Sequence, residues 1–255
     1  MSADALRVCD LLDQFEHQVR HQPQGTRVER LEDVIRVFDD AWTGVAWSRL
    51  GDADADAVIA REVERFAGLG PWEWKVSSHD QPDDLAVRLE AAGFVRGGGE
   101  ALLACEITEL LPAVLPGGIE LRDVTDEVGV AAFMAVHAEA FGELHDAREA
   151  PGGWLLDAIE AGRQAAVVAM AGDLPISAGR VEFYPAADFA GLFGGGTVPA
   201  WRGRGLFRAV VARRAALAAD RGCRWLYVDA VPASRPILES MGFEILGTTT
   251  PFTHA

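Results

Sequence analysis

The stretch Thr197-Val-Pro-Ala-Trp-Arg-Gly-Arg-Gly-Leu206 decides how the rest of the chain is understood. Before it runs Phe189 to Val198, an apolar segment with the pattern of a buried strand. After it runs Leu206 to Asp220, a helical pattern with Phe207, Val210, Val211 and Leu217 on its apolar side. Gly203 and Gly205 let the backbone turn tightly, so that successive N–H groups converge on one centre. The helix N-terminus adds unpaired N–H groups and the positive end of the helix dipole. Arg202 and Arg204 add charge. Strand, glycine-arginine turn and helix together predict a site for phosphate or pyrophosphate. A surface turn rich in glycine and arginine has the same composition, but lacks the strand before and the helix after. No Gly-Lys-Ser/Thr is present, which excludes a nucleotide P-loop, and no GxGxxG, which excludes a dinucleotide fold.

Working outward, the C-terminal half alternates strands and helices. Ile119 to Val124 reads as a strand, Glu127 to Phe141 as a helix and Trp154 to Ala161 as a second helix. Gln164 to Met170 and Ile176 to Tyr184 read as strands joined by the turn Gly172-Asp173. Beyond the long helix, closed by Gly222, come a strand at Trp225 to Ala230, a helix around Pro236 to Met241 and a last strand near Phe243 to Thr250. The fold class is therefore α/β with a mixed sheet.

A boundary falls at Leu111-Pro-Ala-Val-Leu-Pro-Gly-Gly118, where prolines and paired glycines interrupt every period. It separates residues 1–110 from a domain at 118–255. The first half repeats part of the second: strands at Val34 to Phe38 and Val45 to Ser48, a helix at Asp54 to Phe66, a strand at Trp72 to Val76, a helix at Pro82 to Ala92. Leu89-Glu-Ala-Ala-Gly-Phe94 matches Leu238-Glu-Ser-Met-Gly-Phe243 at four of six positions. Both stand at a helix end before a strand, which supports a tandem duplication.

The chain has 255 residues and a formal charge of −16, with Lys75 its only lysine. Such acidity offers no basic footprint and excludes a nucleic-acid binder. It suits a cationic substrate such as an amine, and equally serves solubility. No run of about 18 apolar residues marks a membrane span, and the N-terminus lacks a signal-peptide core, so the cytoplasm is expected. Cys9, Cys105 and Cys223 are too far apart for a metal knuckle and odd in number, so they are expected to be small buried side chains; no metal is expected. Arginine in place of lysine points to a GC-rich, bacterial genome.

At the arginine-glycine loop the sequence resembles the GNAT superfamily of acyl-CoA N-acyltransferases. That pattern, Arg/Gln-x-x-Gly-x-Gly/Ala after a Val-x-Pro strand end, is met by Arg202 and Gly205, with Phe207 in place of the usual small residue. The helix ending in Gly242-Phe243 matches the second family signature. The resemblance spans about 119–250, and extends to tandem members whose first half, around Glu73-Trp-Lys-Val and His79-Asp-Gln-Pro, is a degenerate copy. It implies two GNAT-like domains, with acetyl-CoA as co-substrate and a small-molecule or peptide amine as acceptor. Assembly as a homodimer stays open.

The resemblance also implies where cofactor and chemistry lie. Acetyl-CoA would be held by Thr197, Val198, Arg202, Gly203, Arg204, Gly205, Leu206, Phe207 and Ser234. The N–H groups near Thr197 and Val198 would polarise the thioester, and the Gly194-Gly-Gly196 run would open the strand. Glu182 and Asp229 are the candidate bases for the attacking amine. The tyrosine that usually protonates the thiolate is replaced by Leu238; Tyr227 or water are the substitutes. Ser234 would bond CoA or cap its helix. His137, on an apolar stripe, is expected in the core, and His145 in an acceptor cleft or solvent. Glu139, Glu143, Asp146 and Trp154 would line the acceptor side or a solvated helix face. In the first half the corresponding loop reads Arg49-Leu-Gly-Asp-Ala-Asp-Ala-Asp56, whose aspartates repel a pyrophosphate. Two other readings remain: a catalytically silent acyl-CoA sensor, and a first half that serves only assembly.

Overall fold

The computed structural model describes residues 3–23, 25, 27–39, 42–142, 153–184 and 187–255. In chain order the elements of the first half are α1 (Ala3–Phe15), continued by a π-helical turn at Glu16–Arg20, then β1 (Arg27–Arg30), β2 (Val34–Phe38), β3 (Thr43–Ser48) and α2 (Ala55–Phe66). These are followed by β4 (Trp72–Ser77), α3 (Leu85–Ala91), β5 (Val95–Arg96) and β6 (Glu100–Glu106). The second half supplies β7 (Ile119–Asp123), α4 (Glu127–Phe141), α5 (Gly153–Glu160), β8 (Gln164–Ala171), β9 (Leu174–Phe183) and β10 (Phe189–Thr197). It ends with α6 (Leu206–Asp220), β11 (Trp225–Ala230), α7 (Arg235–Glu239) and β12 (Glu244–His254).

Two compact units form, and they do not follow the linear division at 110 and 118. The first comprises Met1–Leu102, Asp229–Pro232 and Ile245–Ala255; the second comprises Leu103–Val228 and Ala233–Glu244. The cause is strand pairing. In the first unit the order is β1-β2-β3-β4-β12, and β12 lies antiparallel to β4 from Thr249 opposite Ser77 to His254 opposite Trp72. Phe252 of β12 is fully buried among Phe66, Trp72, Trp74 and Phe94. Burying one such aromatic is worth roughly 2 kcal/mol, so the last strand is part of this core. Phe66 stacks on Trp72 at 4.2 Å between ring centroids, and Trp74 Nε1 donates to Ser48 Oγ at 3.2 Å. Arg20 makes a two-pronged pair with Asp80, at 2.8 and 3.0 Å.

The duplicated hexapeptides fold alike. Gly93 and Gly242 both have positive φ, 94° and 102°. Phe94 N–H donates to Leu89 O at 3.1 Å, and Phe243 N–H to Leu238 O at 3.2 Å. Gly93 N–H donates to Glu90 O and Gly242 N–H to Glu239 O, both at 3.1 Å. This is the Schellman stop, with glycine in the position that a Cβ would strain and an apolar contact between Leu and Phe across it.

The second unit orders its strands β6-β11-β10-β9-β8-β7. Helices α4 and α5 cover one face through Val130, Phe133, Val136 and Leu155, against Ala166, Val168 and Ala178. Helix α6 covers the other through Leu206 and Val210, against Val167, Ala169 and Ile176. Asp126 caps α4 by accepting from Gly129 N–H at 2.8 Å.

Two irregularities in β10 position the site. Its pairing with β9 slips between Phe193 and Gly196, so Gly194 and Gly195 form a bulge. Its parallel pairing with β11 covers only Phe189, Ala190 and Gly191, opposite Trp225, Leu226 and Tyr227. Beyond Gly191, ahead of the glycine run, that pairing stops.

Both faces press on the bulge. A Cβ at Gly194 would lie 2.7 Å from His137 Nε2, one at Gly196 2.9 Å from Ala140 Cβ, and one at Gly195 3.0 Å from the Phe207 ring. His137, stacked on Phe133 and set against Phe141, meets Gly194 O at 3.1 Å through Nε2. From the opposite face the buried Arg214 guanidinium lies over Gly179 and donates through NH1 to Arg180 O at 3.0 Å and to Phe193 O at 3.3 Å. Burial, with Arg180 nearby, pulls the Arg214 pKa down to about 9. It still carries its charge at neutral pH, and the carbonyls replace the water it has lost.

Gly194→Ala is expected to cost about 2 kcal/mol, because φ of +56° disfavours a Cβ and His137 blocks its space. Chemical denaturation measures this; a change within error of zero would show that the bulge relaxes freely.

Candidate functional site

The turn between β10 and α6 is the candidate phosphate cradle. Gly203 and Gly205 have φ of 76° and 80°, so both occupy the left-handed region where glycine is favoured. Gly205 is the N-cap of α6 and supplies no side chain to it. Among the described residues, no acceptor in the chain takes the N–H groups of Leu206, Phe207 or Arg208. A helix start left in this state can accept an anion. Phe207 packs beneath the bulge, so the departure from a small residue fills space under Gly195.

The arginines do not extend freely into this cradle. Arg202 Nε donates to Thr197 O at 3.0 Å and its NH2 to Ala140 O at 3.1 Å, fastening the strand end to the last turn of α4. Arg204 lies over the Trp201 ring at 4.7 Å and is exposed. Direct charge is thus offered by Arg204, while Arg202 shapes the loop. Thr197 Oγ1 shares a hydrogen bond with Ser177 Oγ at 2.9 Å, and both are buried. Val198 N–H donates to Ile176 O at 3.0 Å, which removes it from the role of polarising a thioester. The Ser234 side chain makes no cap bond to α7, so the expectation that it caps that helix does not hold. Leu238 is buried in the core of its unit.

Glu182 stands on the sheet face covered by α4 and α5, and it heads a polar chain. Its Oε1 accepts from Gln164 Nε2 at 2.9 Å and from Arg180 NH1. Its Oε2 accepts from Tyr184 OH at 3.3 Å, and the Tyr184 hydroxyl is bonded to that of Tyr227. Arg180 is sandwiched between Phe193 and Trp154, 4.9 and 5.2 Å from the ring centroids. Burial first, then the Glu182 charge, raises the Tyr184 pKa well above its ordinary value, so it stays protonated. Arg180, Glu182 and Tyr184 alternate in the sequence as one strand face, but the alternation does not show that Tyr184 reaches Glu182. Arg214 and the His137 contact to the bulge carried no sequence signal, since both depend on helices packing across the sheet.

Asp229, the other candidate base, belongs to the first unit. Its carboxylate pairs with Lys75 Nζ and accepts from Thr249 Oγ1 at 2.8 Å. Asp229 stands on β11, Lys75 on β4 and Thr249 on β12, so this carboxylate is held by a lysine and a threonine. Burial opposes the Lys75 charge, but Asp229 and Glu73 hold its pKa above the ordinary value. In the same unit burial pushes Glu100 up to about 7, with Lys75 opposing and Asp229 and Glu73 reinforcing.

The equivalent turn in the first unit is filled by its own charges. Arg88 binds Asp52 at 2.5 Å, Asp56 at 3.2 Å and Asp84 at 2.8 Å. Among the described residues no group of three His, Cys, Asp or Glu is placed to hold a metal. Cys105 is buried and Cys223 partly so, but Cys9 is exposed on α1, against expectation. Glu139 is exposed. Glu143, His145 and Asp146 lie outside the described residues.

No family model and no curated protein matches the sequence. Solved structures do match. A GCN5-related N-acetyltransferase from Kribbella flavida superposes with a TM-score of 0.68 at 18% identity, over 99% of this chain and 96% of that one. A putative GNAT-family acetyltransferase from Novosphingobium aromaticivorans gives 0.56 at 15%, over 89% of each chain. A tandem GNAT protein from the clavulanic acid biosynthesis pathway gives 0.59 at 15%, over 87% of this chain and 78% of its own. The fold is that of the GNAT acetyltransferases. Strand β10, the paired part of β11 and the uncapped start of α6 lie in one unit. No helix among the described residues is long and apolar enough to cross a membrane.

The Glu100 shift sets a pH dependence. A carboxyl whose pKa is higher in the folded than in the unfolded chain contributes stability that is full at low pH and lost as pH rises through the folded value. Stability should therefore fall between about pH 4.5 and pH 7 on account of Glu100. Glu100→Gln is expected to flatten this fall and add about 2 kcal/mol at pH 8. Denaturation curves across that range measure it, and an unaltered slope would assign the pH dependence to other groups.

Proposed function

We propose that the chain is an N-acyltransferase that moves an acetyl group from acetyl-CoA to a primary amine of a small molecule or peptide. The observation that carries this is the uncapped N-terminus of α6, entered through two left-handed glycines beside strands that part after Gly191. The N–H groups there suit the CoA pyrophosphate, and the fork gives the pantetheine arm a path toward Glu182. In this reading Gly203, Gly205, Leu206 and Phe207 cradle the diphosphate, Arg204 adds charge, and Arg202 and Thr197 hold the loop. Ser234 remains a candidate contact to CoA. The acceptor loses its proton to Glu182. Only the second unit takes the cofactor, because Arg88 and its aspartates occupy the matching turn of the first. The acidic chain suits a cationic acceptor.

A second reading, a catalytically silent acyl-CoA sensor, is favoured by one observation: Leu238 occupies the place of the usual tyrosine. Thiol release from acetyl-CoA with a panel of amines separates the two. Turnover on any amine supports the transferase; tight binding with no turnover supports the sensor. Arg204→Glu is expected to weaken acetyl-CoA binding roughly 10- to 100-fold with little change in stability, since charge-assisted bonds are worth about 1.5–3 kcal/mol. Calorimetric titration measures it. Unchanged affinity would place the pyrophosphate elsewhere. Arg202→Ala is the poorer probe, because it also frees Thr197 O and Ala140 O.

A further inference from the structure

The proposed transfer needs a proton donor for the leaving thiolate, and Leu238 cannot be it. Tyr227 stands opposite Gly191, the last paired position before β10 and β11 part. A Cβ at Gly191 would lie 2.8 Å from the Tyr227 hydroxyl, so the glycine is what allows the ring to lie across the fork. Tyr227 is bonded to Tyr184, and Tyr184 donates to Glu182. All three side chains belong to the second unit.

Resting on the acyltransferase reading above, we propose that Glu182, Tyr184 and Tyr227 form a proton relay in which Tyr227 protonates the CoA thiolate. The direction of the hydrogen bonds supplies the logic. A hydroxyl has one proton to donate. With Glu182 ionised, Tyr184 gives its proton to Oε2, so Tyr227 gives its own to Tyr184. Tyr227 then has no proton pointing at the fork. When the amine nitrogen bonds to the thioester carbon and its proton passes to Glu182, the chain reverses. Glu182 now donates to Tyr184, Tyr184 to Tyr227, and the Tyr227 proton turns toward the sulfur. As the carbon–sulfur bond breaks, that proton goes to the thiolate. Tyr227 recovers one from Tyr184, and Tyr184 from Glu182, which returns to the carboxylate. One proton leaves nitrogen, one reaches sulfur, and no solvent proton or further reactant is needed.

The surroundings fit a relay that stays in register. Arg180 and Gln164 occupy Oε1, which fixes Oε2 toward Tyr184. Burial keeps Tyr184 protonated, so it passes protons by exchange without emptying into solvent. Arg180 and Gln164 are positioning residues.

The test uses the full-length protein with CoA, acetyl-CoA and a panel of tyramine, glucosamine, spermidine and a glycyl peptide. The ultraviolet absorbance of the thiolate follows the titration of bound CoA. A hydroxyl that donates to the thiolate lowers the thiol pKa, so Tyr227→Phe is expected to raise it while leaving CoA affinity within a few-fold. With the best acceptor of the panel, Tyr227→Phe and Tyr184→Phe are expected to lower kcat roughly 10- to 100-fold, with KM for acetyl-CoA little changed. A merely structural tyrosine would not move the thiol titration. If CoA binds and its thiol titrates alike in wild type and Tyr227→Phe, the relay is wrong while the donor site stands. If CoA does not bind at all, the acyltransferase reading and the relay fail together.

Discussion

A protein backbone must satisfy its carbonyls, and the bulge in β10 hands three of them to side chains. Phe193 O goes to Arg214, Gly194 O to His137 and Gly196 O to Ser177, the last at 2.8 Å. Arg214 arrives from α6, His137 from α4. The bulge is therefore a joint between the two helical layers and the sheet of the second unit. The features of the candidate site lie beside it. The slip ends regular pairing, β10 leaves β11 after Gly191, and α6 starts where an anion can meet its N–H groups. Arg214 makes the joint costly to lose, since a buried guanidinium deprived of those carbonyls would have neither water nor a carboxylate.

The same unit separates its polar chemistry by face. Arg180, Glu182, Gln164, Phe193 and Tyr227 share the side covered by α4 and α5, because residues opposite one another on adjacent strands point the same way. The buried Arg214 lies on the other side. The two candidate carboxylates differ in their partners: Asp229 is held by Lys75 and Thr249, Glu182 by Arg180, Gln164 and Tyr184.

Much of this was legible beforehand, for definite reasons. The ranges of α4, α6, β2 and β11 follow from periodicity flanked by strong stops such as Gly142 and Gly222. The phosphate turn was legible because glycine has few substitutes at positive φ. Strand β6 was not anticipated. Ala101 to Cys105 are all buried, so the run is apolar at every position and shows neither a strand nor a helix period. Helix α1 and the four-residue β1 were not anticipated either, although Ser2 precedes the first and Pro23 and Gly25 precede the second. The site was half visible. Backbone cradles leave traces in glycine spacing, whereas Arg214, Tyr184 and the engagement of Val198 N–H depend on which strand meets which. Such pairings are long-range and have no local signature.

The final strand has a consequence for synthesis. The core around Trp72 and Trp74 receives Phe252 only once that residue has left the ribosome. Until then β4 presents a bare edge to the cell for the time taken to make some 170 further residues, roughly 10–30 s at ordinary elongation rates. Its Lys75, the chain's only lysine, sits on that waiting edge, a charge of the kind that keeps an unpaired strand from recruiting the wrong neighbour.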